Sequence, residues 1–257
     1  MGICQRKNLL ITFVGNIWRN KYHRMLDQYT QQQPYLLALD SIIFGFDGEM
    51  LKVLLVKRGV EERTWSLMGG WLRPDEGLEQ AAARILFDLT RLTNVYLEQL
   101  YTFGDPHRDP IVRTISVAYF SLVRIADYET KISGEFQARW FSIYDLPTLL
   151  FDHGDMVELA IKRLRYKAAQ HPIGLELLPD KFTIPQLKKL YDAIYNTEFD
   201  KRNFSRKILS TDLLIKLDEK QKGFSRRGAY YYQVDRCKYQ AITNSFLNFI
   251  PNSELGL

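Results

Sequence analysis

Apolar positions between residues 35 and 58 come in two blocks. Tyr35–Phe46 (YLLALDSIIFGF) and Met50–Arg58 (MLKVLLVKR) are rich in strand formers, and Asp47-Gly48 between them predicts a hairpin turn. Trp65–Met68 reads as a short strand running into Gly69-Gly70. From Leu78 the period lengthens. Leu78, Ala82, Ile85 and Leu89 fall at i, i+4, i+7 and i+11, one stripe of a helix. Val95–Phe103, Arg113–Ile125 and Ala138–Ser142 read as further strands, and Asp145–Leu150 as a turn or short helix. Asp155–Gln170 is a helix with Met156, Leu159, Ala160, Arg163 and Leu164 along one side. A mixed α/β domain therefore closes near residue 170.

Beyond His171-Pro172 the pattern changes. Thr183-Ile184-Pro185-Gln186 has the form of a capping box with proline in the first turn, so a helix starts there with Ile184, Leu187, Leu190, Tyr191 and Ile194 inward. After a break at Asn196–Phe199, Asp200 caps a second helix from Lys201 to about Ser210. This helix anchors itself with Phe204 and Ile208 and turns Arg202 and Arg206 the other way, flanked by Asn203 and Ser205. Lys201 and Lys207 sit beside the apolar stripe. Leu213–Leu217 and Gly228–Val234 read as two strands around a polar loop that contains Lys220, Lys222, Arg226 and Arg227. A capped helix, a break, a basic helix and a basic hairpin make a winged helix-turn-helix, with Arg and Asn facing base edges and the hairpin facing phosphates.

Charge sharpens that reading. Residues 25–180 carry 16 basic and 22 acidic side chains, whereas residues 181–240 carry 14 basic and 7 acidic ones. An acidic body joined to a basic C-terminal part fits a sensor attached to a polyanion-binding module. A solvated basic surface on a protein-interaction domain is the competing interpretation. The two cysteines, Cys4 and Cys237, form no ligand cluster and suit a reducing cytoplasm. No apolar run reaches the roughly 18 residues that span a bilayer, so no membrane partner is expected. His107 and His153 stand apart from other ligating residues and read as loop histidines, and no metal is expected. Residues 1–24 hold Arg6, Lys7, Arg19, Lys21, Arg24 and no acid, with a short apolar piece at Leu9–Val14. They mimic a signal peptide only weakly. They read as an extension ahead of a natural start at Met25, within an N-terminal segment 1–33.

The segment Gly69-Gly70-Trp71-Leu72-Arg73-Pro74-Asp75-Glu76 through Arg84 resembles the first half of the Nudix box, with Gly70, Glu76 and Arg84 at the family's spacing. The second half departs from it. Ile85 and Leu89 replace two glutamates of the family, Asp88 shortens a third, and Arg91 replaces the closing glycine. Magnesium ions on a diphosphate need several hard oxygen ligands converging from one helix face. The expectation is a domain without pyrophosphatase activity, in which Glu76 and Arg84 persist as a loop–helix interaction and Asp88 is solvated. A divergent nucleotide hydrolase is the rival reading. The emptied pocket suits a small ligand, with Arg58, Trp71, Arg73 and Asp75 flanking its mouth.

Together the two halves resemble the NrtR-type family of Nudix-related transcriptional regulators. The resemblance implies an α+β fold: an N-terminal Nudix-like α/β/α sandwich over 34–172 and a C-terminal winged helix-turn-helix over 173–250. It further implies a homodimer on palindromic operator DNA, released by a metabolite, with no cofactor. Within the family the chain most resembles the arabinose-responsive regulators of gut Bacteroides, which implies L-arabinose as effector and a repressor of arabinose-utilisation genes. ADP-ribose or another nucleotide is the alternative effector.

Overall fold

The structure is a computed structural model that describes residues 28–57, 64–91, 93, 95–128, 137–170, 175–221 and 228–238. The chain divides into two units, Met1–Leu36 and Leu37–Leu257. The described part of the first has a helical turn at 28–30 and exposed Tyr29 and Tyr35. The extension reading of residues 1–24 falls outside the described residues.

The second unit is built on a seven-stranded sheet. Strands β1 (Leu36–Phe46) and β2 (Leu51–Lys57) form the expected hairpin. The Asp47 carboxylate accepts from the amides of Glu49 (2.9 Å) and Met50 (2.7 Å), and Gly48 takes a φ of 99°. The single strand expected over Trp65–Met68 is two: β3 (Trp65–Ser66) pairs with β2, and β4 (Met68–Trp71) pairs with β1. The change of partner falls at Leu67, whose amide donates to His153 Nδ1 (3.1 Å). Helix α1 (Leu78–Thr90) follows, then β5 (Tyr96–Phe103), β6 (Thr114–Arg124), β7 (Ala138–Ser142) and helix α2 (His153–Gln170). Along its main path the sheet runs β3-β2-β1-β6-β5, with β4 on β1 and β7 on β2.

Strand alternation sends β1 side chains to two faces. Leu39 and Ile43, with Leu54, Val56, Val117 and Tyr119, meet Ala81, Ala82, Ile85 and Leu86 of α1. Ile42, Phe44 and Phe46, with Val53, Leu55 and Phe120, meet Met156, Val157, Ala160 and Leu164 of α2. This is the expected sandwich. Each fully buried aliphatic or aromatic side chain contributes about 1.5–3 kcal/mol.

The C-terminal part holds β8 (Phe182–Thr183), α3 (Ile184–Tyr195), α4 (Lys201–Leu209), β9 (Leu214–Gln221) and β10 (Ala229–Val234). The three strands form a sheet of order β8-β10-β9. The capping box is present, with Gln186 N–H on Thr183 Oγ1 (3.4 Å) and Thr183 N–H on Gln186 Oε1 (2.8 Å). Ile184, Leu187, Leu190, Tyr191 and Ile194 are all buried. They join the same apolar cluster as Ile42 and Met156, so one core underlies both parts.

Candidate effector site and DNA interface

The loop from β4 to α1 is framed by one carboxylate. Glu76 Oε1 accepts from the Arg73 amide (3.0 Å) and from Arg84 Nη2, and its Oε2 accepts from Arg84 Nε (2.9 Å). Arg84 also donates to the Trp71 carbonyl (3.1 Å). The guanidinium holds the Glu76 carboxyl down to about 2. Glu76 and Arg84 thus form the expected loop–helix interaction.

The helix face that would gather metal ligands is otherwise occupied. Ile85 is buried against Gly70, where a Cβ would stand 3.3 Å from its side chain. Asp88 is half-exposed and turns toward Arg84 at 3.9 Å. The side chain of Leu89 lies outside the described residues. Among the described residues no group of three or more acids, histidines or cysteines is arranged to hold a metal ion. Magnesium does not fit this donor set, because Glu76 is already committed to Arg84 and a lone Asp88 remains. Arg91, at the closing-glycine position, adopts the left-handed conformation (φ 55°, ψ 17°) and caps α1 with its amide on the Phe87 carbonyl (2.7 Å).

Of the expected pocket residues, Trp71 ends β4, and Arg73 and Asp75 lie on the framed loop; all three are exposed, with Trp71 53% accessible. Arg58 lies outside the described residues.

Behind this loop is a polar cluster that the sequence reading missed. A Cβ on Gly69 would overlap the Asp40 carboxylate, so only glycine lets β4 lie there. Asp40 Oδ2 accepts from Ser116 Oγ (2.6 Å) and stands 3.7 Å from the Arg108 guanidinium. Arg108, buried, grips Asp152 with two hydrogen bonds of 2.8 and 2.7 Å. His153 was read as a loop residue, and this is corrected: it is buried as the first residue of α2. The helix starts two residues before the expected Asp155, at His153, which is tied to Leu67. Accepting from the Leu67 amide fixes Nδ1 as the unprotonated nitrogen, so Nε2–H faces Asp40 Oδ1 at 3.7 Å. Widely spaced residues build this cluster, so no local motif announces it. His107 does sit in an exposed turn.

Helix α2 carries this cluster at one end and contacts the winged part near the other. Arg165 Nε donates to the Ile194 carbonyl (2.8 Å), and Tyr195 Oη donates back to the Arg165 carbonyl (2.7 Å). Tyr144 Oη donates to the Ala193 carbonyl (2.6 Å). The last turn of α3 is thereby clamped to the sandwich.

Helix α4 is capped by Asp200, whose carboxylate accepts from the Asn203 amide (2.8 Å). Ile208 is buried, and Phe204 packs edge-on to Tyr191 at 5.4 Å between ring centres. Lys201, Arg202, Asn203, Arg206 and Lys207 are exposed. Arg206 donates to Asn203 Oδ1 (2.9 Å), which pre-sets two neighbouring polar groups on one face. Ser205 is half-buried and donates to the Lys201 carbonyl (2.7 Å). In the hairpin, β9 extends to Gln221, so Lys220 lies in a strand and not in the loop. The second half of β9, Asp218–Gln221, is too polar to extend the expected Leu213–Leu217 strand from sequence. Lys222, Arg226 and Arg227 fall outside the described residues.

Residues 174–234 match the family model of the NrtR DNA-binding winged helix domain, and residues 34–160 match that of the NUDIX domain. The chain thus joins a NUDIX domain to an NrtR-type DNA-binding winged helix domain. An NrtR-type relative from Acinetobacter baylyi, the ADPR responsive transcriptional repressor NtrR, is 29% identical over 215 residues, 80% of this chain and 86% of its own length. The crystal structure of Shewanella oneidensis NrtR complexed with a 27mer DNA superposes with a TM-score of 0.70 at 29% identity, covering 79% of this chain and 95% of that one. Over the Nudix part, an ADP-ribose pyrophosphatase from Methanocaldococcus jannaschii is 25% identical over 151 residues, 57% of this chain and 88% of its own. Among the described residues no helix is long and apolar enough to cross a membrane.

Proposed function

We propose that this NrtR-type protein is a cytoplasmic transcriptional repressor that binds operator DNA through α4 and the β9–β10 wing and leaves it when a small effector occupies the Nudix domain. The observation that carries this reading is the pairing of a Nudix helix whose face is spent on the core with a second helix whose cations are left exposed. Arg202, Asn203 and Arg206 read base edges, and Lys201, Lys207, Ser205 and Lys220, with Lys222, Arg226 and Arg227, hold phosphates. One recognition helix covers only a few base pairs, so a two-fold dimer on a palindrome supplies the affinity. The working division is 34–172 for effector and 173–250 for DNA.

Two effector readings have separate support. ADP-ribose is supported by the responsiveness named for the Acinetobacter relative. L-arabinose is favoured by the box itself, which lacks the ligands for a metal-bound diphosphate but keeps exposed Trp71 at the end of β4 and Asp75 on the loop after it, an apolar ring face and hydroxyl acceptor for a sugar. Release requires the effector to prefer one dimer geometry, and a coupling of about 1–3 kcal/mol gives roughly 5- to 150-fold weaker DNA binding. The test starts from an operator selected out of a random duplex library. Its complex is then titrated with ADP-ribose, L-arabinose and D-xylose, and ADP-ribose hydrolysis is followed with magnesium or manganese. Dissociation by one compound without hydrolysis is expected. Turnover that disappears in Glu76→Gln would instead make the domain an enzyme.

A further inference from the structure

The cations of the C-terminal part are sorted. Lys181 pairs with Glu219, Lys188 with Asp192, Lys189 with Glu49 and Lys238 with Asp212, each within 4 Å. Among the described residues, those left without an acidic partner are the cations of α4, Lys216 and Lys220 of β9, and Arg236 just past β10. Lys216 and Lys220 share a feature that the others lack. Both ammonium groups sit over one ring, Tyr230 of β10, at 3.7 and 4.3 Å from its centre.

The backbone brings this about. Tyr230 faces Lys220 across the ladder, and an unbroken ladder would then set Tyr232 opposite Asp218. An irregularity between Tyr230 and Tyr232 sets Tyr232 opposite Lys216 instead, which draws a second lysine to the ring. Each ammonium lies against the ring, and among the described residues neither is neutralised by an acid. A flexible lysine normally spreads its charge over many rotamers. Here the Tyr230 ring restrains both, which leaves the remaining N–H donors of each for an anion.

We propose that Lys216 and Lys220, seated on Tyr230, form a phosphate clamp on the wing, with Tyr230 as its positioning residue and the duplex DNA backbone as its ligand. This rests on the reading of the C-terminal part as DNA-binding. Lys216 was absent from the residues that the sequence singled out.

The test measures binding of the full-length protein to a random-sequence DNA duplex as a function of salt. Lys216→Ala and Lys220→Ala should each lower the slope of log K against log salt by about 0.9. Tyr230→Phe, which keeps the ring, should match wild type in affinity and slope. Tyr230→Leu, which keeps the bulk and both charges, should lower affinity and slope, yet cause no further loss in the Lys216→Ala/Lys220→Ala background. A Tyr230→Leu variant that binds like wild type overturns the proposal, as does one that only lowers the melting temperature. Absence of duplex binding by wild type would remove the DNA-binding reading itself. Wild-type binding with unchanged slopes in both lysine variants would remove the clamp alone.

Discussion

The Nudix sandwich and the winged helix both place arginines on helices and loops, and they use them in opposite ways. Arg84 spends its guanidinium on Glu76 and the Trp71 carbonyl, and Arg108 spends its own on Asp152 beside Asp40. Arg202 has no acidic partner among the described residues, and Arg206 reaches only the neutral Asn203. The residue type is the same, but the partner inventory differs. In the sandwich an arginine is framework, because its donors are saturated and removing it strands a carboxylate. In α4 donors remain available to a ligand, and removing the arginine strands no carboxylate among the described residues.

The largest effect that separates the two classes is expected at Arg108. Its side chain is 3% accessible, and Arg108→Ala would leave Asp152 and Asp40 facing each other without their cation. Breaking such a buried pair costs about 3–5 kcal/mol. Denaturant unfolding should show that loss, and a change under about 1 kcal/mol would mean that water already screens the cluster.

Next comes the mirror-image result on α4. Arg202→Ala and Arg206→Ala should each weaken operator binding by roughly 1–3 kcal/mol and relax preference at a single position. Their unfolding curves should overlay the wild type, since Phe204 and Ile208 carry the packing. Wild-type operator affinity in the double variant would place the reading surface elsewhere.

The contrast was only half legible in the chain. Periodicity marked α1, α3 and α4 because each packs through a stripe set by its own sequence, and the Thr183–Gln186 cap announced the start of α3. Apolar runs marked β1, β2 and β6 for the same reason. The Asp40–Arg108–Asp152–His153 cluster was invisible because its members are up to 113 residues apart and meet only when β1, β6 and α2 assemble. His153 was misread for that reason. Lys216 was missed because its partner is an aromatic ring across an irregular ladder, which no single strand pattern encodes. Trp71, Arg73 and Asp75 were read as flanking a pocket mouth, and they are exposed at and after the end of β4, where their role depends on a ligand and not on the fold.

A smaller effect follows from the framed carboxylate. The Glu76 carboxyl is depressed from 4.5 to about 2, first by its hydrogen bonds from Arg84. A depressed carboxyl contributes stability that is present above its unfolded value and lost as the pH falls through its folded value. The melting temperature of wild type should therefore exceed that of Glu76→Gln by a constant margin between pH 5 and 8. The margin should narrow below about pH 4.5. A margin that changes instead near neutrality would point to a different titrating group and dissolve the assignment of Glu76 to the framework.

The smallest effect concerns the end of the box. The Nudix family closes this helix with glycine, and Arg91 stands there while the backbone keeps a left-handed φ of 55°. That conformation costs a side chain roughly 1–2 kcal/mol relative to the right-handed region, and glycine escapes the cost at the expense of a more flexible unfolded chain. Arg91 also places its guanidinium 5.5 Å from the Phe87 ring centre, so Arg91→Gly alone would mix a backbone gain with a side-chain loss. Arg91→Ala loses the same contact and keeps the Cβ. The informative quantity is the difference between the two variants, with Arg91→Gly expected to be more stable than Arg91→Ala by about 1 kcal/mol in denaturant unfolding. Equal stabilities would mean that the helix end rearranges once the arginine is gone. The expected difference would show that Arg91 holds a left-handed backbone that glycine adopts at lower cost.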